Sequence, residues 1–244
     1  MSKKAWMGVA LTALLMPGWP ITAYAQADQD AQPSIQNEAK PVKEAVWQAD
    51  PKLKRYLGRQ YVLGGYSVSR PLGYTDHLVR RQGLLANYWQ EQATASGFMP
   101  YLALALAPAP TPARKGDKKL TADRLLNIST ASMKRGFDDW TETEIEHGRI
   151  NGISFVRIYW TGTDRQQKRK LRGVSYVAID DTAAISLTAQ DVARATTTPS
   201  PATADGNTSA TPPTNDTTTE DLPETVDRLK LAEAVFQTLH HVTP

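Results

Sequence analysis

The sequence predicts one globular α+β domain in which an antiparallel sheet carries helices on both faces. Asn151-Gly152, a favoured two-residue hairpin turn, stands between two stretches that alternate apolar and polar residues. A second strand-like pair, Leu171 to Ile179 and Thr182 to Gln190, flanks Asp180-Asp181. Before this block Leu126, Thr130, Met133 and Phe137 fall on one helical face, and after it apolar residues recur at helical spacing, at Val226, Leu229, Ala232, Val235, Phe236 and Leu239.

From the N-terminus, Lys3 and Lys4 precede an apolar run from Ala5 to Met16, then the breakers Pro17, Gly18 and Pro20, then Ala23-Tyr24-Ala25. Basic, apolar and small-x-small segments in that order match a cleavable secretory signal, residues 1–25. The apolar run is about half of the roughly 20 residues that span a bilayer. A periplasmic or extracellular protein with no transmembrane anchor after cleavage is therefore expected. Cysteine is absent, which excludes a disulfide scaffold and a lipidated cysteine and places stability on a packed core. The 28 basic residues include Lys3 and Lys4, so the mature chain nearly balances its 25 acidic ones. That argues against a nucleic-acid partner.

Residues 26–51, rich in Gln, Ala, Asp and Pro, read as a disordered leader. Residues 193–222, built of Thr, Pro, Ala, Ser, Asn and Asp, read as a disordered insertion. An apolar helical stripe resumes after it, with Pro223 suited to a first turn. A lone helix of that length is marginal in water. It should dock back, so that residues 52–192 and 223–242 form one domain.

Within the body, strand-like pieces run Tyr66 to Arg70, His77 to Gln82, Leu84 to Trp89 and Met99 to Ala107, with Gly64-Gly65 at a turn. Pro108, Pro110 and Pro112 break the chain before a helix from about Thr121, a plausible N-cap, to Asp138. The Asn151-Gly152 turn pairs Ile150 with Ile153, Glu146 with Arg157, Ile145 with Ile158 and Thr143 with Trp160. One face then holds Ile145, Val156, Ile158 and Trp160, and on the other Glu146 opposes Arg157, as a correct register should have it. A two-residue turn at Asp180-Asp181 pairs Tyr176 with Ile185 and Val174 with Leu187. Val174 and Tyr176 on one face, and Val177 and Ile179 on the other, predict a sheet covered on both sides.

Four segments carry a resemblance: Gly65 to Tyr74, Asn151 to Arg157, Arg172 to Val177, and Leu229 to Ala234. Together they resemble the PsbP-like fold, an α/β/α sandwich, over about Val62 to Val192 and Pro223 to Val242. The resemblance implies fold rather than function, because members of that fold serve as assembly factors, binding modules and accessory subunits. It transfers no functional residue to this chain, and the long Thr/Pro insertion departs from a compact member.

Chemistry is sparsely signalled. Glu142, Glu144 and Glu146 alternate, so one strand would place three carboxylates on one face, a set that could hold a hard cation such as calcium. The plainer reading is a solvated strand with Arg157 as cross-strand partner. His147 is expected to be structural, pointing away from Glu146. Asp138 and Asp139 are expected to end the preceding helix, and His240 and His241 to face the dipole at the end of the last one. There is no Gly-x-Ser-x-Gly, cysteine nucleophile or phosphate-cradling loop, so no catalytic, cofactor-binding or metal residue is assigned. The basic loop Arg165, Lys168, Arg169, Lys170 and Arg172 is the candidate partner-binding feature, suited to an envelope protein or an anionic surface. Tyr56, Tyr61, Tyr66, Tyr74, Tyr88 and Trp89 are expected mainly in the core. These observations favour an exported, non-enzymatic binding or accessory protein of the cell envelope acting through sheet-end loops. The alternatives are an envelope enzyme or metal-binding protein using the Glu142 to Glu146 strand, and a structural component tethered by its leader.

Overall fold

The computed structural model describes residues 44–81, 83–91, 100–110, 120–193 and 226–242. The expected signal segment, most of the expected leader, the Thr/Pro tract from residue 194 and Pro223 lie outside the described residues.

In chain order the elements are β1 (Ala45–Val46), a 3-10 turn (Pro51–Tyr56), β2 (Leu57–Leu63), β3 (Tyr66–Pro71), β4 (Tyr74–Arg81), β5 (Leu84–Glu91) and β6 (Tyr101–Pro108). Then follow α1 (Ala122–Lys134), β7 (Phe137–Glu142), β8 (Glu146–Ile150), β9 (Ile153–Asp164), β10 (Lys170–Ile179), β11 (Ala183–Val192), α2 (Arg228–Phe236) and β12 (His240–His241). A large mixed sheet runs β1-β8-β9-β10-β11-β6-β5-β4, with β7 paired to β9 beside β8, and a small sheet runs β12-β3-β2.

This corrects the expected fold class. Among the described residues strands make up 56% and helices 19%, and these form no α/β/α sandwich with helices on both faces. The small sheet is the reason: Leu63, Tyr66 and Val68 present an apolar face that buries with Trp89, Leu104 and Leu106 of the large sheet, a layer the expected sandwich gave to helices. Helix α2 is a plug rather than a layer, packed against β3, β11 and the 3-10 turn with seven of its nine residues buried. On the other side of β10, α1 covers part of the sheet, burying Leu125 and Leu126 with Val156, Ile158, Trp160 and Val177.

The hairpin registers show where side chains override turn propensity. Around Asn151-Gly152 the pairs Ile150–Ile153 and Glu146–Arg157 form as expected, with Asn151 at φ 47° and Gly152 at φ 87°. Beyond Glu146 the expected strand breaks. Thr143 steps out, its N–H donating to Tyr159 O at 2.9 Å and its Oγ1 accepting from Tyr159 N at 3.1 Å. Glu142, not Thr143, then opposes Trp160, and the expected pairs at Thr143 and Ile145 do not form. At Asp180 the carboxylate Oδ1 accepts from the backbone N–H groups of Thr182 and Ala183, each at 2.8 Å. That wider turn pairs Tyr176 with Leu187 and Val174 with Ala189, two residues from the expected register. A slip of two keeps every side chain on its face, so Val174 and Tyr176 still bury on one side and Val177 on the other.

Helix α1 starts at the expected cap, Thr121 Oγ1 accepting from Arg124 N at 3.3 Å. It stops at Lys134, short of the expected Asp138, because Gly136 N turns back to Met133 O at 2.9 Å. Asp138 and Asp139 therefore belong to β7 instead of ending a helix. Residues 44–47, assigned to the leader on composition, form the outermost strand and its Trp47 anchor.

Candidate functional site

The five basic residues of the predicted patch are not equivalent. Asp164 organises the β9–β10 loop: its Oδ1 accepts from Gln166 N and Gln167 N at 2.8 Å, while its backbone bonds Lys168 N and Arg169 O, each at 2.8 Å. Arg165 Nε donates to Asp138 Oδ1 at 2.8 Å and its Nη1 to Arg135 O at 3.0 Å. The Arg165 guanidinium holds the Asp138 carboxyl below its ordinary value. Lys168, at φ 51°, lies 3.6 Å from Asp138 with its side chain 73% exposed. Lys170 is exposed and Arg169 half-buried. Arg172 is drawn inward to Asp191 at 3.3 Å and Asp227 at 3.1 Å. The loop presents Gln166, Gln167, Lys168 and Lys170 outward, and Arg172 is a strut.

The carboxylate strand comes apart. Glu142 lies on β7 and Glu146 on β8, with Glu144 in the break between them. Glu142 accepts from Lys134 Nζ at 2.6 Å and Trp140 Nε1 at 2.9 Å. Burial pushes its carboxyl up, but these donors hold it below its ordinary value. Glu146 accepts from Arg157 Nε at 2.8 Å. Among the described residues no group of three or more His, Asp or Glu is placed to hold a metal. His147 meets Asp123 of α1, Nε2 to Oδ1 at 2.8 Å, tying the helix to the sheet edge. His240 and His241 do not end a helix but form β12 against β3. The His241 ring packs 4.5 Å from that of Tyr66, and its Nε2 lies 3.2 Å from Asp180. Of the aromatic group, Tyr66, Tyr74 and Trp89 are buried, while Tyr56, Tyr61 and Tyr88 are half-buried.

Two constellations were not foreseen. Arg228, 6% exposed, forks onto Glu91 with Nη2 to Oε1 at 2.5 Å and Nε to Oε2 at 2.9 Å, joining the start of α2 to the end of β5. The second gathers Trp47, Arg157, Tyr159, Tyr176 and Glu233. The Arg157 guanidinium carbon sits 4.3 Å from the Trp47 ring centroid, and its Nη1 donates to Tyr176 OH at 3.0 Å. Tyr159 and Tyr176 both donate to Glu233 Oε1. Burial, then the Glu233 carboxylate, pushes both phenols far up, so they act as neutral donors. Sequence spacing offers no signal for a site whose members come from β9, β10, α2 and the residue that follows β1.

Among the described residues no helix is long and apolar enough to cross a membrane. Compared with known proteins, the chain matches no family model, and no curated protein matches it significantly.

Proposed function

We propose that this chain is an exported, non-enzymatic binding or accessory protein of the cell envelope that meets its partner through loops at the ends of the large sheet. The construction of the β9–β10 loop carries this reading. Asp164 closes it through four backbone groups, and Arg165 pins it to Arg135 and Asp138. A loop already ordered in this way loses little freedom when a partner docks. Lys168 and Lys170 project from it, suiting an acidic patch on an envelope protein or an anionic surface. Elsewhere the acids and bases hold elements together, as at Arg228–Glu91 and Arg172–Asp191.

The test is the mature protein carrying Lys168→Glu and Lys170→Glu, cross-linked to an envelope fraction at low and at raised salt. The wild type should capture a defined acidic partner that raised salt releases, and the double reversal should lose it while still unfolding cooperatively. An unchanged partner set in the double variant contradicts the proposal.

A further inference from the structure

Strand β1 occupies the edge of the large sheet in an unusual way. It pairs parallel to β8 through two residues, Ala45 opposite Gly148 and Val46 opposite Arg149, with Trp47 N donating to Arg149 O at 3.3 Å. Ala45 and Val46 are both exposed, Val46 to 73%. Side-chain recognition comes from the two flanking residues. Glu44 forms an ion pair with Arg149 and accepts from Ser154 Oγ at 3.3 Å. Trp47 meets Tyr176 edge-on, ring centroids 5.3 Å apart, beneath the Arg157 guanidinium. A Cβ on Gly148 would meet, as its three nearest atoms, Trp47 Cε2 at 2.5 Å, Ala45 O at 2.7 Å and Trp47 Cζ2 at 2.7 Å. All three belong to the docked segment, so the absence of a side chain at position 148 is what lets a strand and an indole lie there.

We infer that the β8 edge is an acceptor for an extended segment of another protein, read as acid-x-x-aromatic, and that residues Glu44 to Trp47 fill it in cis. The chemistry of the cis occupant defines what fits: a carboxylate for Arg149, two residues of exposed strand backbone, and a flat ring for the slot formed by Gly148, Tyr176 and Arg157. Strand addition supplies the backbone bonds and the pockets supply the selectivity. Because the 3-10 turn begins at Pro51, the tether is short and the cis segment competes at an effective concentration on the order of millimolar. A partner must displace it, which makes the segment a built-in threshold. This acceptor lies on the β8 edge, apart from the β9–β10 loop, and stands or falls separately from the function proposed above.

The experiment uses the full mature chain and a fluorescein-labelled peptide of residues Glu44 to Asp50, followed by anisotropy. Trp47→Ala weakens the cis occupant and should bind the peptide at least about tenfold more tightly than wild type. Adding Gly148→Val to that variant should abolish binding while the far-ultraviolet circular dichroism of the sheet is retained, and a peptide with Ala in place of Trp should not bind. Should Trp47→Ala fail to fold, Glu44→Lys, which sets a cation against Arg149, carries the same expectation. Equal peptide binding by wild type and the weakened variant, no binding by either, or binding that survives Gly148→Val overturns the inference. Lys168→Glu with Lys170→Glu should leave peptide binding unchanged, which separates this site from the loop.

Discussion

Arg228 joins α2 to the end of β5. Its guanidinium is buried, forked onto Glu91, and also donates from Nη1 to Val226 O at 2.8 Å. Glu91→Ala removes that fork from a buried cation, and urea unfolding should show a loss of about 3 kcal/mol. Asp227 alongside it caps α2 through Leu229 N at 2.9 Å. Burial pushes the Asp227 carboxyl up, but the Lys230 N–H and the Arg172 guanidinium hold it below its ordinary 3.8. A depressed carboxyl contributes stability above its unfolded value and loses it as pH falls through the folded one. Acid should therefore loosen α2 below about pH 4, and Asp227→Asn should flatten that part of the pH–stability curve. At the alkaline end, burial and the Asp180 carboxylate push Tyr66 up to about 12, and burial pushes Tyr101 up to about 12. A raised phenol contributes fully below its unfolded value of 10 and is lost as pH rises through the folded one. Tyrosinate absorbance should show these two ionising near pH 12 together with unfolding. A normal titration near 10 would contradict it.

Single elements were legible where the signal is local and obscure where a distant side chain decides. The Asn151-Gly152 hairpin was readable because both residues tolerate positive φ. What the sequence could not show is that Asn151 Nδ2 also donates to Gln237 O at 3.0 Å and Leu239 O at 2.8 Å, tying the turn to the segment after α2. Asn151→Ala loses both bonds and keeps a φ that alanine resists. Thermal unfolding should report a loss of about 2 kcal/mol. The break between β7 and β8, and the Asp180 turn, depend on the Thr143 hydroxyl and the Asp180 carboxylate taking backbone donors, which propensity does not weigh. The basic loop was visible as a charge run, but its division into struts and exposed lysines depends on Asp138, Asp191 and Asp227, remote in sequence. Gly173 was equally silent. The Trp160 indole lies across it, and a Cβ there would come 2.2 Å from Trp160 Cζ2 and 2.7 Å from Ala189 O. Gly173→Ala should cost about 1–3 kcal/mol and weaken the near-ultraviolet circular dichroism of the Trp140–Trp160 stack, whose centroids are 4.8 Å apart.

At the scale of the molecule, two sheets and a helical plug share one interior. Val226, Leu229, Leu231, Ala232, Val235, Phe236 and Leu239 bury in the same cluster as Leu63, Tyr66, Trp89, Leu104, Tyr176 and Leu187. The period-3.6 stripe after the Thr/Pro tract revealed that helix, and the alternation of β8 to β11 revealed the sheet. The helical layers were wrongly expected because β2 hides its strand character behind Gly58, Arg59 and Gln60, and β12 is only two residues long. Together with β3 these form the second layer, which no local pattern announces. Residues far apart in the chain thus build both the core and the edge on which β1 sits. The most direct measurement is the thermal unfolding of residues 26–192, set against residues 26–244. Removing the plug should expose Tyr66, Tyr176 and Leu187 and abolish the cooperative transition. A transition as sharp and as high in temperature as that of the full chain would mean that the closing helix contributes nothing to the core.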